Sequence, residues 1–176
     1  MKKKLLAQIQ DLDHQLNQLV VDLKSYSHED LNALPKEGGW SVIQIMHHVF
    51  LSEKYSLQYC QKKLSFSPTL KEAGVVSKLK SWLVQVYLNS PLKLKAPKAI
   101  GSSVLPKEGS LEEVLDLWQN ERTLLQQFID ELADEYVSKE IYKHPFGGRL
   151  SLEGMFDFFG AHFNNHVRQI WRALKH

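Results

Sequence analysis

The sequence predicts an all-α fold, a four-helix bundle with a long crossover loop, formed by a single domain over residues 1–176. Three observations lead there. Apolar residues recur at helical spacing in several long segments. Two of those segments open on a serine with a glutamine or glutamate three residues on, the signature of a capped helix start. No segment alternates for long enough to read as a strand; Leu92-Lys93-Leu94-Lys95 is too brief.

The first segment places Leu5, Ile9, Leu12, Leu16, Leu19 and Leu23 at gaps of four and three, the narrow stripe of a bundle helix. Pro35 and Gly38-Gly39 then mark a turn. Ser41 and Gln44 cap a second helix, which runs to about Lys62. Its first turns, from Val42 to Leu51, are apolar on nearly every side, which predicts deep burial. A third helix is expected between Lys71 and Asn89. From Ser90 to Gly109 the chain carries Pro91, Pro97, Pro106, Gly101 and Gly109, which is loop chemistry. A loop of that length in a compact domain is often a functional cover. Ser110 and Glu113 cap the next helix, with Leu111, Val114, Leu117, Trp118, Leu124, Leu125, Phe128 and Leu132 as its apolar face. Tyr142 to Arg149 reads as a turn, and the last helix runs from about Leu152 to Leu174. Leu34-Pro35-Lys36-Glu37-Gly38 recurs as Leu105-Pro106-Lys107-Glu108-Gly109, each ahead of a serine cap, which reads as shared helix-entry chemistry.

Composition narrows the function classes. Hydrophobic residues make up 43 % and charged residues 24 %, with a net charge of +2, as in an ordinary globular domain. Cys60 is the lone cysteine, so an intramolecular disulfide and a thiolate metal cluster are both excluded. The basic start at Met1-Lys2-Lys3-Lys4 is interrupted by Gln8, Gln10, Asp11 and Asp13 before a signal-peptide core can form. No apolar run is long enough for a membrane span. A cytoplasmic location, with no membrane partner, is the expectation. Residues 62–107 hold nine lysines and one acid, Glu72. The absence of arginine there argues against reading of nucleic-acid bases.

The chemistry lies in three histidines. His162 and His166 are four residues apart and point about 40° apart on a helical wheel, on the apolar face of the last helix. Gln169 shares that stripe, while His48 lies on a buried row of the second helix with Ser52, Tyr55 and Tyr59. His47 points about 100° away. Spacing alone leaves two readings open: core histidines with ordinary hydrogen-bond partners, or a metal site. Imidazole donors suit zinc, nickel, iron and similar ions rather than magnesium or calcium. Three protein ligands leave a coordination position for water or substrate. Phe163 stands where a His-Glu-x-x-His peptidase has its glutamate, so that mechanism is disfavoured.

Gly39-Trp40-Ser41 through His48 to Glu53 resembles the second-helix signature of the DinB/YfiT-like superfamily. In that family Trp-Ser opens the helix, a ligand histidine follows eight residues after the Trp, and a glutamate comes five later. His162, His166 and Gln169 are similar to its last-helix pattern His-x-x-x-His-x-x-Gln, and His144-Pro145-Phe146-Gly147 to the His-Pro turn before it. The resemblance implies a DinB-like four-helix bundle, often a homodimer, with a divalent metal (zinc or nickel first, iron or manganese next) held by His48, His162 and His166. It implies an enzyme acting on a small-molecule substrate, by hydrolysis or by transfer to a low-molecular-weight thiol. The alternative is a non-catalytic metal-binding or stress-related module with a vestigial site. His144, Tyr55 and Gln169 are the candidate catalytic residues.

Overall fold

A computed structural model describes residues 1–90 and 97–175. Among these residues there are six α-helices and one hairpin: α1 Lys2–Leu23, α2 His28–Asn32, α3 Val42–Leu64, α4 Val75–Leu88, α5 Leu111–Glu131, β1 Tyr142–His144, β2 Gly148–Leu150 and α6 Leu152–Ala173. The bundle is built from α1, α3, α5 and α6, with α1 and α3 each packed on both α5 and α6. Helix α4 lies outside this ring, against α6 and β2.

The helix starts follow from local chemistry. Ser41 Oγ accepts the Gln44 N–H while the Gln44 side chain accepts the Ser41 N–H. Ser110 and Glu113 do the same for α5. These boxes satisfy donors that every helix start leaves unpaired. The same device at Ser27 and Asp30 starts the short α2, which the apolar pattern alone does not reveal.

All six residues of the predicted α1 stripe are buried. On α5 the face is narrower than its apolar residues suggest, because Leu117 and Leu124 are exposed. Tyr142 to Arg149 is more than a turn. Tyr142 pairs with Leu150 and His144 with Gly148 in an antiparallel ladder. Gly148 closes the tight connection at φ +74, a backbone state that glycine enters without a Cβ clash. Strands of three residues are too short to show an alternating pattern.

The core divides into two apolar clusters. One contains Leu5, Ile9, Leu57, Ile129 and Phe156; the other contains Leu19, Ile45, Val114, Trp118 and Phe163. Polar side chains cross the bundle between them: Asp13 from α1, Glu53 from α3, Arg122 from α5 and His162 from α6. The Glu53 carboxylate accepts from Arg122 Nε at 2.5 Å and Nη2 at 2.7 Å and from Trp118 Nε1 at 3.0 Å. Arg122 Nη1 donates to Asp13 Oδ1 at 2.9 Å.

The described part of the long connection is stitched to the start of α3. Lys98–Ile100 forms a single 3-10 turn. Trp40 Nε1 donates to Ser102 Oγ at 3.0 Å, and Gln44 Nε2 to the Pro106 carbonyl at 3.0 Å. Asn32 exchanges two hydrogen bonds with the Gly109 backbone. Residues 91–96, with Pro91, the Leu92–Lys95 alternation and two of the segment's lysines, lie outside the described residues.

Candidate metal centre

Helices α3 and α6 bring His48, His162 and His166 together, all buried. His162 Nε2 stands 3.2 Å from His48 Nε2 and 3.0 Å from His166 Nε2. The three rings meet edge to face, with centroids 4.5 to 5.2 Å apart.

The opposite nitrogens decide what those Nε2 atoms can do. His48 Nδ1 lies 2.7 Å from the Ile100 carbonyl oxygen, which can only accept, so Nδ1 carries the proton. His166 Nδ1 lies 2.8 Å from Gln169 Oε1 and is a donor for the same reason. Two neutral rings therefore present bare Nε2 lone pairs to one point, and His162 Nε2 faces both. This is the tautomer that a metal-ligating histidine has when its outer nitrogen is anchored.

Charge cannot accumulate here. Burial, then the neighbouring imidazoles His166, His48 and His144, hold His162 well below the ordinary histidine range. Burial and then His48 push His166 down to about 3, against the opposing hydrogen bond to Gln169. Burial lowers His48, partly offset by the Ile100 carbonyl. The cluster is neutral at pH 7, with three nitrogens close together and short of protons to share. A void of about 10 Å³ behind His166 is lined by the apolar side chains of Leu19, Met46, Val49, Trp118 and Phe163, which offer a water no polar partners.

The donor set fits a small divalent transition ion. With metal–nitrogen bonds of about 2.0–2.1 Å, two imidazoles on one ion stand roughly 2.9 Å apart at a right angle and roughly 3.4 Å apart at a tetrahedral angle. The two observed separations, 3.0 and 3.2 Å, fall between these limits. An all-imidazole set is also the wrong chemistry for magnesium or calcium.

The other candidates are placed differently. Gln169 supports His166 from its outer side. Tyr55 is 43 % exposed and sits two helical turns beyond His48 on α3. Tyr59 packs edge to face on Tyr142, with centroids 6.5 Å apart. His144 is buried in the hairpin, and its Nδ1 accepts from the backbone N–H of Phe146 at 3.2 Å and of Gly147 at 2.8 Å. Its proton therefore resides on Nε2. The Phe158 ring touches both His144, at 4.5 Å, and His162, at 5.1 Å. His47 is half-buried on a neighbouring face of α3.

One contributor escapes a reading of side-chain patterns. The Ile100 carbonyl is a backbone atom, so no residue type announces it. The Glu53–Arg122 pair does leave a trace. Arg122 lies in the row Trp118, Arg122, Leu125, Ile129, whose gaps of four, three and four mark a buried face.

Comparison with known proteins accords with this geometry. A Bacillus cereus (strain G9842) protein named "Putative metal-dependent hydrolase" is 26 % identical over 175 residues, an alignment covering 96 % of this chain and 84 % of that protein. No solved structure matches the chain significantly. The family model described as the DinB superfamily matches residues 8–170. With a helical bundle, a match over nearly the whole length and a histidine cluster between α3 and α6, the chain belongs to the DinB superfamily.

Proposed function

We propose that His48, His162 and His166 hold one divalent transition metal, zinc or nickel, and that the site acts on a small molecule by hydrolysis or by thiol transfer. The observation that carries this reading is the pair of anchored tautomers. The Ile100 carbonyl and Gln169 Oε1 each accept a hydrogen bond from an Nδ1–H, which leaves the Nε2 lone pair of that ring free. A bound ion would act as a Lewis acid, lowering the pKa of a water or thiol at a remaining position.

The chain's own residues do the rest. Trp40 lies over His48, with ring centroids 4.8 Å apart, and is tethered by Ser102 of the covering loop. Together they restrict water on that side. Phe158 stacks on His162 and fixes its ring plane. Glu53 is fully engaged by Arg122 and Trp118, so it supports the bundle rather than serving as a base. His144 is neutral at pH 7, because burial lowers it to about 4, and it offers an Nε2 proton rather than a lone pair.

The test is metal analysis of untagged protein. About one divalent metal per chain is expected in the wild type, with a rise in melting temperature on adding zinc or nickel to stripped protein. His162→Ala should lose both. A wild type without stoichiometric metal, and indifferent to added zinc or nickel, ends this reading. Metal without turnover on thiol and ester or amide probes would leave the non-catalytic module.

A further inference from the structure

The hairpin gathers basic side chains that nothing around them neutralises. In its antiparallel ladder Lys143 stands directly opposite Arg149, and both are exposed on the outer face. Residues paired in this way have Cβ atoms about 4.5–5.5 Å apart, and like charges placed there repel. Helix α4 adds a third basic group. It packs against β2 and the turn before it, where a Cβ on Gly147 would stand 2.6 Å from a Val84 methyl. Lys80 lies one helical turn before Val84 and is half-buried, with its Nζ 4.0 Å from where a Gly148 Cβ would be. The ammonium is therefore held at the β2 edge, beside the residue that precedes Arg149. Among the described residues, none of the three has a hydrogen-bond or ion-pair partner. Helix α4 carries no acid. The acids near the start of α6 are engaged elsewhere, Glu153 by Lys4, and Asp157 by Gln8 and Ser81.

We propose that Lys80, Lys143 and Arg149 bind the phosphate group of a small phosphomonoester, at a site apart from the histidine cluster. The ladder itself separates the two. Tyr142 and His144 occupy its buried inner face, while Lys143 and Arg149 project from the other. The chemistry of the three groups selects the ligand. A guanidinium forks two oxygens of one phosphate, and an ammonium acts as a point charge on a third. A phosphomonoester carries a charge of about −1.5 to −2 at pH 7 and has three strong acceptor oxygens. A carboxylate, with one charge, would leave most of the repulsion in place. Three basic groups at one turn match one phosphate. A nucleic-acid strand is held by a basic groove that follows its backbone over several nucleotides.

The test is a titration of the full chain with glycerol phosphate at constant ionic strength, followed by phosphorus NMR, with glycerol and acetate as controls. One saturable site per chain is expected for glycerol phosphate alone, with the same affinity in metal-stripped and zinc-loaded protein. Arg149→Gln and Lys143→Gln should each weaken binding about tenfold or more, the loss of one charge-assisted hydrogen bond. Arg149→Lys keeps the charge but not the fork, so it should also bind more weakly than the wild type. Lys143→Glu turns the repelling pair into an attracting one. It should abolish binding and raise the melting temperature in phosphate-free buffer, with the helical spectrum unchanged. The absence of saturation overturns the proposal, as does binding that survives Arg149→Gln and Lys143→Glu. Binding that needs zinc overturns it by assigning the phosphate to the histidine cluster. A wild type that ignores glycerol phosphate but binds anionic vesicles or an oligonucleotide overturns it by assigning the face to a polyanion.

Discussion

At the residue scale, the outer nitrogens of the histidine cluster carry as much information as the inner ones. Gln169 does not join the three Nε2 atoms, yet its Oε1 accepts the His166 Nδ1–H, with the two atoms 2.8 Å apart. Such outer partners commonly contribute about 10–100-fold to metal affinity. Gln169→Leu should therefore weaken zinc binding by about that factor in a chelator competition, while the helical spectrum stays that of the wild type. An unchanged affinity would show that His166 is oriented by packing alone. The candidate ligands were legible in the sequence because each side chain repeats on a helix whose apolar face is evident. Tyr55 shows the limit of that reasoning. It shares His48's row by angle, yet it is 43 % exposed while Leu57 and Cys60, farther along α3, are buried in the core. Angle fixes a direction, whereas burial depends on what the neighbouring elements cover. The Ile100 carbonyl was illegible for a different reason, since any residue type supplies one.

At the scale of elements, α3 and α5 are joined through charge as well as apolar packing. Arg122 and Glu53 are both buried and bonded to each other, to Trp118 and to Asp13. Removing one member leaves the other charged in a dry core, which typically costs about 3–5 kcal/mol. Arg122→Ala should lower unfolding stability by that order in urea titration. The double variant E53Q/R122M should recover much of the loss, because a neutral pair leaves no stranded charge. If the single variant costs less than about 1 kcal/mol, water reaches the pair and it is not a core interaction. The bundle helices were predictable because capping boxes and four-three stripes are local signals. The hairpin and α2 were not, since three strand residues or five helical residues hold fewer than two full periods. Helix α4 was predictable as a helix, but the direction of its apolar face was not. Its wheel has one broad apolar side, and only the close approach of Ser77 and Ser81 to α6 shows that the side faces away from the bundle.

At the scale of the whole molecule, four buried imidazoles tie stability to pH. Burial lowers His144 to about 4, and burial with His48 lowers His166 to about 3; His48 and His162 move the same way. In the unfolded chain these groups titrate near 6.5. Between those values the unfolded state binds more protons than the folded state, so stability rises with pH there. For the metal-stripped protein this contribution is complete above about pH 6.5 and is lost as pH falls toward 4. Buried carboxyls act in the opposite sense: burial raises Asp13, Glu121 and Asp157, which favour the folded state as they take up protons. A comparison isolates the histidine part. In His144→Asn the amide oxygen can still accept the Phe146 and Gly147 N–H groups, while one titrating ring is gone. Melting temperatures measured in chelator from pH 7.5 to 4.5 should fall for the wild type and fall less steeply for the variant. Zinc should raise the wild-type melting temperature most at the upper end of that range. The increment should shrink on acidification, since each ligand nitrogen must be unprotonated to bind. A stripped protein that grows more stable between pH 6.5 and 5 would mean that the carboxyls, and not the histidine cluster, govern its acid response.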